Sequence, residues 1–461
     1  MTGTPASLGP VTPPGTAGAT RRGWYPAALL SLMGAAVWAP LAQGSAFDGG
    51  QAGLVILAAL SVLTLTQAAA HGEVRVRPDL WSGLVVALIL WTVLSAAQAQ
   101  EAFGAQQQGA ATVAALLLGL GARTLLVSPG TRARFGALLC AVVGVMAAYV
   151  LLQRLTGGFT LRADPSASSG LYYHPSHYAG FVTLALPVAV WALATGGSDG
   201  WRAGWRAALR VLGGASAVIL TVSLAFTNSS SLPTALLALG LASAAALWGW
   251  RRWAGATALG LLLLGTLGGA WLLGSASGQG TLDRLMGGTQ TKSVSRFLLE
   301  RQALWQMDRE AARHVGVLGA GPGNFIHVVP LYRPEQAIGT NDHAFGFVNY
   351  AHNDYYQLAV EVGRTGLGLY LLTLSLTLLW PLSVLWRCLR TGGRSGRRVD
   401  LLAVSALCGL LPLWVAGIWD GNATVVPGTA AWAWLLMGVA VAGPAARPSM
   451  HAPLDHALEG R

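Results

Sequence analysis

Charge is scarce in this chain. Only 10% of its 461 residues are Asp, Glu, Lys or Arg, against about 25% in an ordinary soluble domain. Lysine is nearly missing, with Lys292 the single copy. These shortages exclude disordered, coiled-coil and most soluble classes, which need a charged surface. Cysteine is sparse too. Cys140, Cys388 and Cys408 lie in or beside apolar runs, make neither a disulfide framework nor a zinc spacing, and read as small apolar fillers. The chain also lacks a paired-carboxylate signature, a nucleophile elbow and a zinc helix motif. Only 275–364 is a long hydrophilic region.

What is abundant is apolar surface, at 53% of residues. A membrane span takes about 20 residues. Twelve apolar stretches fall near 24–43, 51–69, 81–98, 109–128, 135–153, 178–195, 208–226, 232–250, 254–274, 365–386, 401–419 and 427–444. The expected fold is an all-α, polytopic integral membrane protein of about twelve transmembrane helices, with one long outer loop between helices 9 and 10. Its segments are a disordered tail 1–20, helices 1–9 within 21–274, the loop 275–364, helices 10–12 within 365–445, and a tail 446–461. Arg21 and Arg22 before the first stretch suit an uncleaved first helix better than a signal peptide.

The net charge of +11 could suggest nucleic acid, but the basic residues are dispersed among apolar runs. They read as a topology signal. With the N-terminus placed in the cytoplasm, one side collects Arg21, Arg22, Arg75, Arg77, Arg132, Arg134, Arg202, Arg206, Arg210, Arg251 and Arg252, and later Arg387 to Arg398. The short loops of the other side, 44–50, 99–108, 227–231 and 420–426, hold no Lys or Arg. Both termini are then cytoplasmic. The spans carry almost no ionisable residues, and Arg123 can snorkel to the interface. That argues against an ion-coupled transporter, which keeps charge at mid-membrane.

Chemistry is expected on the outer side. In 293–313, Val294, Phe297, Leu298, Leu304 and Trp305 recur at helical spacing, and Arg301 falls inside that stripe. It is either a snorkelling arginine or an anion clamp whose forked donors suit phosphate. Arg296 and Glu300 form an i,i+4 pair. The run GVLGAGPGNF, 316–325, is a glycine-rich turn without the Lys-Ser/Thr ending of a nucleotide loop. In 349–372, Asn353 or Asp354 can cap a short helix ending at Gly363, with Tyr355, Leu358, Ala359 and Val362 on its apolar face. Gly366 then opens the tenth span. His352 stands before the positive end of that helix, where a neutral, proton-accepting imidazole is favoured. His174 and His177 read as part of a turn entering the sixth span. Their spacing admits metal ligands, but no third ligand stands nearby.

These segments resemble the O-antigen ligase and Wzy-type polymerase superfamily. AHNDYYQLAVEVGRTGLGLYL, 351–371, is similar to the family's Ala-His-Asn…Gln-Leu…Glu-x-Gly…Gly-Leu signature. RQALW and GVLGAGPGNF, within 301–325, resemble its Arg-x-x-x-Trp helix and Gly-x-Gly-x-Gly-Asn-Phe turn. HPSHYAGFVTLALP, 174–187, resembles its Asn-Pro-Asn…Ala segment, with His174 and Ser176 where asparagines are usual. The resemblance implies transfer of a glycan from an undecaprenyl-diphosphate carrier, at the outer face of the bacterial inner membrane, without cofactor or metal and with inversion. The acceptor would be a lipid A–core sugar, a protein hydroxyl or, for a polymerase, another repeat unit. His352 would activate the acceptor hydroxyl, and Arg301 would bind the diphosphate. Arg296, Asn353, Glu361, Gly321, Gly323, Asn324 and Arg162 would line the substrate site. The family's usual Thr-x-Ser-Arg arginine is replaced by Ser230, and the arginine often found before the Gly170 position is missing, with Arg162 the nearest. That departure keeps a pseudoenzyme among the expectations, beside the polymerase and a lipid or glycan transporter.

Overall fold

In a computed structural model of the chain, the described residues are 23–76, 78–158, 169–197, 200–224, 227, 232–250, 294–333, 349–390 and 400–442. Among them every regular element is a helix. Eight come first: α1 Trp24–Leu41, α2 Asp48–Ala70, α3 Leu80–Ala97, α4 Ala102–Leu125, α5 Pro129–Thr156, α6 Pro175–Thr195, α7 Ala203–Leu224 and α8 Leu232–Trp250. Then follow α9 Val294–His314, the short α10 Phe325–Val328, α11 Asp354–Glu361, α12 Gly363–Arg390, α13 Leu401–Ala416 and α14 Pro427–Val441.

The boundaries follow local chemistry. Asp79 and Ser128 cap α3 and α5 by accepting the Ser82 and Thr131 N–H groups at 2.9 and 3.1 Å. Pro129, Pro175 and Pro427 open helices, where a missing N–H costs nothing. Gly157 and Gly196, both left-handed, close α5 and α6.

The apolar pattern is arranged for lipid. The helices α1 to α7 are long and apolar enough to cross a membrane, and apolar segments of α8, α12, α13 and α14 are shorter. Leu30, Leu90, Val211 and Val218 stand exposed, while α6 and α14 are enclosed almost along their whole lengths. Between helices the close approach comes from small residues. Gly119 of α4 and Gly438 of α14 each meet the other helix's backbone. Trp432 then packs on Phe181 at 4.9 Å between ring centres, joining α14 to α6.

One end of the bundle is held by arginine. Arg123 pairs with Asp79, and Arg132 meets Asp400 at 2.7 Å and donates to the Val439 carbonyl at 2.8 Å. The other end gathers the loops 44–50, 99–108 and 420–426. Gln107 donates to Asp48 at 2.7 Å, and a Cβ on Gly180 would lie 2.6 Å from Asn422. The described helices fall on eleven of the twelve apolar stretches. The stretch 254–274, both tails, Arg162, Ser230 and Lys292 lie outside the described residues. Helices α4, α5 and α7 begin before their apolar runs, because good helix formers such as Ala, Gln and Arg continue the helix past the apolar part. The helix α12 starts at Gly363, three residues before the expected Gly366.

Candidate active site

The site stands on α11 and the loop that follows α13. Asn353 is the N-cap of α11, and its carboxamide oxygen accepts the N–H groups of Tyr355 and Tyr356, both at 2.9 Å. Its other arm donates to the Ile418 carbonyl at 2.7 Å. The Asp354 N–H donates to Gly417 at 2.7 Å, and its buried carboxylate accepts from the Ala423 and Thr424 N–H groups at 3.3 and 3.0 Å and from the Thr424 hydroxyl. Burial outweighs these hydrogen bonds and pushes the Asp354 carboxyl up to about 7. Two adjacent side chains therefore latch 417–424 against the start of α11.

That latch delivers Asp420 to His352. The distance from His352 Nδ1 to Asp420 Oδ1 is 3.9 Å, within ion-pair range but beyond a hydrogen bond. Asp420 is 2% exposed and accepts the Gly421 N–H at 2.9 Å. His352 has a positive φ of 47°, rare outside glycine. The turn fixes the ring with Nδ1 buried and a quarter of the side chain exposed (25%). The imidazole's pKa is lowered from 6.5, by burial first. Asp420 opposes that shift and the Arg301 charge adds to it. Burial, and not the helix terminus, is the first cause of that lowering.

Arg301 lies half-buried on α9, and its charge acts on His352, Tyr350 and Asp308. Asp308 follows two turns later on the same face. It is 0% exposed, and neither carboxylate oxygen makes a hydrogen bond. Burial pushes it up to about 8 against the pull of Arg301. Tyr350 is also pushed up, to about 12, by burial and by Asp420. Its ring lies 4.1 Å from that of His352.

The glycine turn is occupied by the protein itself. The Ala320 N–H donates to the Val360 carbonyl at 2.9 Å and the Gly321 N–H to the Glu361 carbonyl at 2.8 Å. The Glu361 carboxylate accepts the Gly323 and Phe325 N–H groups and the Gln357 amide. Asn324 donates its N–H to Gly321 and its side chain to Ala320, while its Oδ1 makes no hydrogen bond. The end of α3 completes the clasp. Trp91, Ser95 and Gln98 donate to the carbonyls of Val362, Glu361 and Gly319 at 2.8, 3.0 and 2.7 Å. Gly319 and Gly363, at φ 76° and 70°, allow a main-chain approach that a Cβ would block. Burial pushes the Glu361 carboxyl up to about 7, opposed by its hydrogen bonds.

Of the residues singled out in the sequence, the structure brings Arg301, His352 and Asn353 together. Glu361, Gly321, Gly323 and Asn324 form the clasp beneath. Arg296 is on α9, and Arg162 lies outside the described residues. Asp420, Tyr350 and Asp308 were missed. A short loop with a lone acid is an ordinary turn by sequence, and nothing local announces its partner. His177 was taken for part of a turn, yet its ring stands 6.2 Å from Tyr350 and feels the charges of Asp420 and His352. Among the described residues no three His, Cys, Asp or Glu are grouped so as to hold a metal ion.

A family model described as O-antigen ligase matches residues 215–371. The match includes Arg301, the glycine turn and His352, and leaves out Asp420, His174 and His177. No curated protein matches the chain.

Proposed function

The chain carries the domain of the O-antigen ligase superfamily, and from that premise we propose that it is a membrane glycosyltransferase moving a glycan from an undecaprenyl-diphosphate carrier to an acceptor hydroxyl. The reading places this end of the bundle at the outer face of the inner membrane, with both termini in the cytoplasm. The observation that carries it is His352, half-buried with its pKa lowered, 3.9 Å from Asp420 and within the field of Arg301.

In this mechanism His352 holds a proton on Nδ1 toward Asp420, so that Nε2 is free to accept one. The acceptor hydroxyl gives its proton to Nε2 as its oxygen bonds to the anomeric carbon. The bond from that carbon to the diphosphate oxygen breaks, with inversion. The diphosphate leaves with the electron pair, and Arg301 meets its charge. Asp420 stabilises the imidazolium that forms. Neither a cofactor nor a metal is needed in this scheme.

The test is transfer by purified protein in detergent, with an undecaprenyl-diphosphate oligosaccharide and envelope acceptors, with and without EDTA. Expected is EDTA-resistant transfer that His352→Ala and Arg301→Ala abolish, and the labelled product distinguishes ligase from polymerase. Equal transfer by wild type and His352→Ala overturns the role of the histidine. Carrier binding without transfer to any acceptor turns the reading to a transporter or a pseudoenzyme.

A further inference from the structure

At the arginine-held end of the bundle, α6 passes into α7 through a tight turn. Gly196 and Gly197 are both left-handed, at φ 64° and 89°. The Gly196 N–H donates to the Ala192 carbonyl at 2.8 Å, and the Thr195 hydroxyl accepts the Gly197 N–H at 3.0 Å. A Cβ on Gly196 would lie 2.9 Å from the Arg206 carbonyl and 3.1 Å from Arg210 Nε. One on Gly197 would lie 2.7 Å from the Trp201 ring. The first turns of α7 are therefore seated on the end of α6.

Arg202, Arg206 and Arg210 follow at four-residue intervals, which stacks them on one side of α7. Between 196 and 210 a single acid, Asp199, stands against these three arginines. Arg202 and Arg210 are exposed. Among the described residues neither pairs with a carboxylate, whereas Arg123 and Arg132 of the same end pair with Asp79 and Asp400. Trp205, beside them, is 69% exposed, as suits a ring at the headgroup level. A topology signal needs the charge but not the stacking.

The same side of α7 then becomes nearly bare. Arg210, Gly214, Ala217 and Thr221 recur at helical spacing. The Thr221 hydroxyl is turned to its own helix and donates to the Ala217 carbonyl at 2.7 Å. Leu193 of α6 borders this strip, 3.4 Å from a Cβ placed on Gly214. Val211 and Val218, 71% and 65% exposed, flank it on the other side. Positive charge at one level and a shallow apolar lane below it match a lipid with an anionic headgroup.

We propose that Arg202, Arg206 and Arg210, with the lane from Gly214 to Thr221, bind one anionic glycerophospholipid, its phosphate on the arginines and an acyl chain along the lane. A zwitterionic headgroup carries an ammonium that the same arginines repel. The site lies apart from His352 and does not depend on the transfer reading.

Native mass spectrometry of the full chain in detergent measures the binding of phosphatidylglycerol and of phosphatidylcholine with the same acyl chains. Wild type is expected to bind phosphatidylglycerol about ten-fold more tightly, with the preference fading at high salt. Arg202→Gln combined with Arg210→Gln should weaken phosphatidylglycerol about ten-fold or more. Gly214→Leu fills the lane at an ordinary contact distance and should weaken it with every charge kept. Arg75→Gln, at an exposed arginine of the α2–α3 loop, should change nothing. Melting temperature gives a second readout, with phosphatidylglycerol raising that of wild type and not that of the double variant. Equal affinity of wild type for the two lipids, an unaffected double variant, an unaffected Gly214→Leu, or an equal loss in Arg75→Gln overturns the site.

Discussion

His352 and Asp420 come from separate loops and meet at 3.9 Å between Nδ1 and Oδ1. Asp420 raises the histidine's pKa while burial and Arg301 lower it. Transfer should therefore rise with pH through a limb below 6.5 and then level off. Asp420→Asn removes the raising influence, so the limb should move to lower pH while the plateau drops. His352→Ala should lower the plateau by about 10²-fold or more. A pH–rate profile of the three proteins checks this, and an unmoved limb in Asp420→Asn would sink the pairing.

Arg301 should not be replaceable by lysine. A single ammonium offers no fixed fork to a diphosphate, and loss of an oriented donor at a leaving group costs about 10²-fold in kcat. Arg301→Lys should show most of the defect of Arg301→Ala in kcat/KM for the donor, with an unchanged melting temperature. Near-normal turnover by the lysine variant would mean that simple charge suffices.

Asp308 predicts a pH-dependent stability. The folded carboxyl holds its proton to about pH 8, whereas its ordinary pKa is 3.8. Between these values the unfolded chain binds fewer protons, so stability falls as pH rises. Asp308→Asn abolishes that titration. Thermal melts from pH 5 to 9 should show the variant gaining on wild type as pH increases, and parallel curves would exclude an unpaired, buried Asp308.

The latch at α11 can be loosened from one residue. Asn353→Ala removes a cap, worth about 1 kcal/mol, and also the bond to the Ile418 carbonyl. A modest fall in melting temperature should accompany a much larger loss of transfer, because the 417–424 loop no longer holds Asp420 in place. Asp354→Asn should act in the same direction. Equal losses in stability and rate would reduce the latch to a general packing role.

Gly363→Ala tests the clasp. The residue has φ 70° and stands against the Val317 carbonyl, so a Cβ there is strained as well as blocked. Poor yield or a clearly lowered melting temperature is expected, whereas Gly368, with open space around it, should accept alanine.

The helices were legible because apolar runs of span length leave little alternative in a bilayer. The cap at Asn353 and the positions of Arg301 and His352 were equally legible, since each belongs to a local pattern. What could not be read was tertiary. Asp420 matters through a loop that folds back on Asp354, and Asp308 matters because it is sealed. Neither property has a signature within a few residues. The glycine run read as a turn, but the bonds that occupy it come from α11, which no local pattern shows.

That occupied turn has a consequence for how the protein can change. A cradle of peptide N–H groups survives almost any substitution, because every residue but proline supplies the same donor. Here Ala320, Gly321, Gly323 and Phe325 have committed theirs to α11. In the transfer reading a leaving diphosphate meets the side chain of Arg301 instead, which a single codon change can remove. The scaffold is thus fixed by its main chain, while the charge placed upon it rests on one side chain.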